Sequence, residues 1–138
     1  MFIKKDPFNR EIKLKKSTWE YKICNYHNTN NNGECGNSHP EMSNYYNEVE
    51  NSVEHPHYIL QDTKLVCDDY GNEIEIPNEK REEYYRFFFD KEDKLGIIKT
   101  IVDFDQKNNG DIVTTHKMNG RIRGVRKGGR IIYDSSKK

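Results

Sequence analysis

No apolar run in the chain approaches the roughly 20 residues needed to cross a bilayer, and the opening MFIKKDPFNR has no signal-peptide core. Those two absences lead us to expect a soluble chain acting in the cytoplasm, without membrane partners. Cysteine is equally sparse. Cys24, Cys35 and Cys67 are odd in number and irregularly spaced, which excludes a disulfide framework and suits a reducing compartment. There is no internal repeat and no low-complexity tail. Hydrophobic residues make up only 33% of the 138, yet nine Tyr, six Phe and one Trp supply enough apolar area for one core. A single domain over residues 1–138 is expected, with a lead-in at 1–16 and a tail at 134–138.

Net charge is also lacking, but only in total. Residues 1–33 carry +4, residues 34–93 carry −11 and residues 94–138 carry +7, so the neutral sum hides a polar molecule. A basic final third is what an electrostatic site for a phosphate backbone needs. The bland counterpart is a solvated helix and hairpin in the acidic middle.

Periodicity supplies the elements. Trp19–Ile23 alternates as a half-buried strand does, and the Asn- and Gly-rich stretch 25–37 reads as a loop. Ser38-His39-Pro40-Glu41 matches a capping box with Pro in the first turn. Met42, Tyr45, Tyr46, Val49 and Val53 then recur on one helical face, and the helix should stop before Pro56. Strands are expected at 58–61, 64–67 and 73–76, with a turn at 68–72. The charged start of 79–89 suits a helix while its aromatic second half, 84–89, suits a strand; further strands are expected at 95–104, 111–118 and 131–133, the first two forming a central hairpin. Residues 1–16 fit a strand or a helix equally. The predicted fold is α+β, with an N-terminal helical layer packed on an antiparallel sheet of four to six strands.

Two regions hold groups suited to chemistry. The first is the helix entrance. Capping accounts for Ser38 and much of Glu41, which leaves His39, beside N–H groups that could receive an anion, as the functional candidate of that entrance, paired with Glu41. The second is the segment 111–133, with Thr114, Thr115, His116 and Tyr133 as catalytic candidates. Lys117, Arg121, Arg123, Arg126, Lys127 and Arg130 are its phosphate- or RNA-binding candidates. Cleaving RNA without a metal takes a base for the 2′-hydroxyl proton, an acid for the leaving 5′-oxygen and cations for the phosphorane, and this segment has all three kinds of group. No cofactor is required. A competing reading takes Cys24, His27, Cys35 and His39 as zinc ligands, although their spacing is not a standard one. His55 and His57 flank Pro56 and read as turn residues. A nucleophilic cysteine is disfavoured because neither Cys24 nor Cys35 sits in a strand-to-helix nucleophile turn.

The order Trp19, Ile23, His39-Pro40-Glu41, amphipathic helix, Pro56 with Tyr58-Ile59, Tyr84-Tyr85, the run 95–102 and Val113-Thr114-Thr115 resembles the phage-associated nuclease-like domains of the barnase, EndoU, colicin tRNase and RelE superfamily. It covers roughly residues 17–133 through short, degenerate motifs. The stretch 28–36 departs from the pattern as an insertion, and 119–129 is more basic than the pattern requires. The resemblance implies a metal-independent endoribonuclease, a toxin or effector of phage or interbacterial conflict. Its partners would be RNA, tRNA among the candidates, and a cognate immunity protein or antitoxin. By position it implies His39 as acid or base, Glu41 as its partner, and Thr114 or Thr115 as a phosphate contact. The alternatives are a non-catalytic module, either partner-binding or zinc-stabilised, and a structural phage protein.

Overall fold

The computed structural model describes residues 1–24, 40–119 and 130–137. Seven strands form one mixed sheet in the order β1-β2-β6-β5-β4-β3-β7. They are β1 (Phe2–Lys5), β2 (Glu11–Leu14), β3 (Tyr58–Cys67), β4 (Glu73–Phe89), β5 (Leu95–Gln106), β6 (Asn109–Asn119) and β7 (Ile131–Asp134). The helix α1 (Tyr46–Glu54) follows a 3-10 stretch, Pro40–Tyr45. All pairings are antiparallel except β2 with β6, which is parallel. Among the described residues, no helix is long and apolar enough to cross a membrane.

This corrects the expected architecture. Residues that fitted strand or helix equally form the β1–β2 hairpin, and β2 extends the sheet by pairing Ile12 with Gly110. The helical material lies between β2 and β3, on one face of a sheet larger and less regular than the predicted four to six antiparallel strands. Trp19–Ile23 is not a strand but part of a wide helical turn, Thr18–Ile23, closed by the Cys24 N–H donating to the Trp19 carbonyl at 2.8 Å. A strand would put Tyr21 on the same face as Trp19 and Ile23, whereas Tyr21 is 58% exposed and the other two are buried.

Three hairpins share one turn chemistry. Asp6, Asp68 and Asp90 each accept hydrogen bonds on Oδ1 from the amides two and four residues ahead. The residue three ahead, Asn9, Gly71 or Asp93, takes a positive φ. A short polar side chain or glycine is what that backbone region tolerates.

The main core lies between the sheet and the helical segments. It joins Ile12, Leu14, Trp19, Ile23, Met42, Val49, Val53, Ile59, Tyr84, Ile98, Val102 and Ile112. The predicted helical stripe holds: Met42, Val49 and Val53 are buried, and Tyr45 and Tyr46 pack at their margin. On the opposite face Leu60, Tyr85 and Ile97 make a smaller cluster with Tyr58, Phe87 and Met118.

Close packing of β6 between β5 and β2 depends on Gly110, where a Cβ would lie 2.5 Å from Val102 Cγ1 and 2.8 Å from Phe104 Cε1 on β5, and 3.1 Å from Ile12 Cδ1 on β2. Gly110→Ala is expected to cost about 1–3 kcal/mol through overpacking, read as a lowered urea midpoint. An unchanged midpoint would mean the seam is looser than this geometry.

Candidate functional site

The residues singled out from sequence are distributed over two faces of the sheet. His39, Arg121, Arg123, Arg126 and Lys127, with the zinc candidates His27 and Cys35, lie outside the described residues. Cys24 is buried in the main core. Among the described residues no group of three or more His, Cys, Asp or Glu could hold a metal ion. Glu41 is exposed in the 3-10 stretch, and α1 proper begins five residues later with no side-chain cap. The entrance turn reaches β6 on the helix-covered face, where Lys117 Nζ sits 5.6 Å from the centre of the Tyr45 ring.

Thr115 is fully buried on that same face, at 0% exposure. Its hydroxyl pairs with Thr100 Oγ1 at 2.9 Å, which pairs with Ser52 Oγ at 2.8 Å, and Ser52 donates to the Val49 carbonyl at 2.6 Å. The chain of hydroxyls ties α1 to β5 and β6, so the geometry gives Thr115 a structural task instead of a phosphate contact. Thr100→Val would strand the Thr115 hydroxyl and is expected to cost about 1–3 kcal/mol by chemical denaturation. Adding Thr115→Val should recover part of that loss, because the stranded group is then gone.

Tyr133 is on β7, edge to face with Phe8 at 5.8 Å, and lines a cleft with His57 and Arg86. Arg130 is exposed, and its carbonyl accepts from the Gln61 amide at 2.9 Å.

Thr114 and His116 point away from α1, and the register shows their company. One row across the sheet runs Leu60, Glu83, Ile101, Thr114, and the next runs Tyr58, Tyr85, Lys99, His116. Alternation along β4 puts Glu83 in phase with Tyr85 and Phe87, so an acid interrupts an apolar stripe. Glu83 is only 5% exposed. Its Oε1 accepts from the Tyr85 hydroxyl at 2.6 Å, and its Oε2 lies 3.5 Å from Lys99 Nζ. The Asp62 carboxyl, at the β3 bulge, is near enough to act on its protonation.

These neighbours set the protonation chemistry. Burial raises the Glu83 pKa above the ordinary 4.5, and the Asp62 carboxyl raises it further, against the opposing pull of the Tyr85 hydroxyl and Lys99. Burial, then the Glu83 hydrogen bond, pushes the Tyr85 phenol up, so it remains a donor. Lys99 Nζ also lies 5.9 Å from the Tyr85 ring centre. The two neighbouring rows thus bring together a buried carboxyl with a raised pKa, a cation, and an imidazole one strand beyond.

Thr114 and His116 stood out in the sequence; Asp62, Glu83, Tyr85 and Lys99, which the sheet sets beside them, did not. The available signal was the charged residue at an inward strand position, hidden because residues 79–83 also suit a helix. No protein-family model, curated protein or solved structure matches the chain.

Proposed function

We propose that the protein is a metal-independent endoribonuclease whose acid–base centre lies on the second face of the sheet, with Glu83 as base, His116 as acid and Lys99 as the phosphate-facing cation. The observation that carries this reading is the buried Glu83 carboxyl on the same face of the sheet as Lys99 and His116, one cross-strand row away from them, with Lys99 Nζ 3.5 Å from its Oε2. A base whose pKa is raised toward the working pH combines availability with driving force. Lys99 lies between the other two, whose strands are separated by two inter-strand spacings, about 10 Å.

In the reaction, ionised Glu83 takes the proton of a ribose 2′-hydroxyl. The 2′-oxygen bonds to the adjacent phosphorus, the bond from phosphorus to the 5′-oxygen breaks, and His116 in its imidazolium form gives that oxygen a proton. The products are a 2′,3′-cyclic phosphate and a 5′-hydroxyl. Lys99 offsets charge on the phosphorane, and Thr114 stands in the adjacent row as a hydroxyl donor.

The test is incubation of the purified protein with tRNA and with total RNA in EDTA. Fragments ending in 2′,3′-cyclic phosphate are expected, and intact RNA from about pH 5 to 8, the range in which histidine titrates, would overturn the reading.

A second reading, a non-catalytic partner-binding module, is favoured by the far end of the β3–β4 hairpin. There Glu73–Lys80 lies beyond the pairing with β5, and Leu65, Ile74 and Tyr70 are exposed among acidic residues. Intact RNA together with a stable complex formed through this arm would favour it.

A further inference from the structure

We propose that the cleft where α1 gives way to β3, opposite β7, is a nucleotide site, taking a phosphoryl group on Arg86 and His57 and a planar base against Phe8 and Tyr133. The cleft has a volume of about 560 Å³, within the usual range for small-molecule sites. Three distant parts of the chain converge on it: the β1–β2 turn through Phe8, the helix-to-strand junction with neighbouring β4 through His57 and Arg86, and β7 with the 3-10 turn after it through Tyr133 and Ser135.

The donors are arranged by hydrogen bonds of their own. His57 Nδ1 accepts from the Phe87 amide at 3.0 Å, so the neutral ring carries its proton on Nε2. Burial, then the nearby Arg86 charge, lowers the His57 pKa and keeps the ring neutral. Stacking against Phe87, with centroids 5.0 Å apart, fixes its orientation. Arg86 uses Nη1 on the His55 carbonyl at 2.8 Å, which leaves the rest of its fork for a ligand. The Tyr133 and Ser135 hydroxyls add two more donors to the lining. Glu54, the acid among the described lining residues, faces Lys4 Nζ at 3.4 Å, so its charge is already offset. A set this rich in donors matches the several oxygens of a phosphoryl group better than the two of a carboxylate. The Phe8 and Tyr133 rings give a base an apolar wall.

This site is separate from the Glu83 ladder and does not depend on RNA cleavage. The experiment titrates adenosine 5′-monophosphate into the full chain labelled with 15N, following the side-chain signals of His57 and Arg86. Saturable shifts at both are expected, with a dissociation constant below about 1 mM. Arg86→Gln, which keeps a donor for the His55 carbonyl but removes the charge, should weaken binding about tenfold or more, as should Tyr133→Ala. Adenosine without its phosphate should bind more weakly by a similar factor. An oligoribonucleotide with a terminal phosphate serves as the second arm. Tighter binding than the mononucleotide assigns the site to an RNA end, and weaker binding assigns it to a free nucleotide. Absence of saturable shifts, shifts at His116 without His57, or unchanged affinity in Arg86→Gln would overturn the inference. RNA cleavage read on the same wild-type sample tells failure here from failure of the ribonuclease reading.

Discussion

Glu83→Gln is expected to lower the rate of RNA cleavage about 10²–10⁴-fold, the usual loss when a positioned base is removed. The change keeps an acceptor for the Tyr85 hydroxyl but takes away proton exchange. Lys99→Ala should cost about 10²-fold by removing charge stabilisation, and His116→Gln should act on the acid. The pH profile gives a sharper test than rate alone. A raised Glu83 pKa means the base is protonated at mildly acidic pH, so the rate should fall with pH from a point above 4.5. Asp62→Asn removes one cause of that elevation and should move the acid limb to lower pH. If Glu83→Gln and Asp62→Asn left both rate and profile intact, Glu83 would have no part in the chemistry.

The same shift bears on stability, with a definite sign. Between 4.5 and its folded value, Glu83 holds a proton that the unfolded chain has released, so stability falls as pH rises through that window. The groups facing Glu83 are Asp62, Tyr85 and Lys99, with His116 beyond. Stability measured for Glu83→Gln relative to wild type should therefore improve as pH rises.

Arg10→Ala is expected to give the largest loss of stability, about 3–5 kcal/mol, because it leaves two acids uncompensated in a partly buried setting. Nη1 and Nη2 of Arg10 bind the two oxygens of Glu82 at 2.9 and 2.7 Å, and Nε binds Asp6 at 2.9 Å. Nη2 also reaches the Tyr84 hydroxyl at 3.1 Å, and Tyr84 in turn donates to Asp6 at 2.6 Å. The guanidinium lies 4.3 Å from the Phe104 ring centre and 5.1 Å from that of Phe8. Through these contacts the β1–β2 turn is fastened to β4. Arg10→Lys should recover only part of the loss, since an ammonium lacks the planar fork that meets two carboxylates at once. A urea midpoint that barely moves in Arg10→Ala would show that the network does not hold the turn.

What was legible in sequence follows from how local each signal is. The 95–104 and 111–118 strands emerged as β5 and β6 because β-branched residues cluster there and turn residues separate them. The 68–72 turn was equally clear, since Gly71 marks a positive φ. Its equivalents at Asp6 and Asp90 were not, because Asn9 and Asp93 carry the same conformation without the glycine. The helix face from Met42 to Val53 was readable from its period, but the change from 3-10 to α at Tyr45 was not. Residues 1–16 fitted two conformations equally, and what places their hairpin in the sheet is a distant partner, β6. Glu83 was missed for the same reason: its neighbours Asp62 and Lys99 come from other strands, and no window along the chain contains the pairing.

The parallel β2–β6 pairing has a kinetic consequence. β3, β4, β5 and β6 are joined to their sequence neighbours by turns, so the meander can grow from short loop closures. β2 has no such route, because Ile12 must find Gly110 across most of the chain. During synthesis β2 leaves the ribosome long before its partner exists. Ile12 and Leu14, fully buried in the finished protein, then wait in water until β6 has been made. The β1–β2 hairpin is thus made early and docked late, and that interval is when the nascent chain is most open to wrong partners.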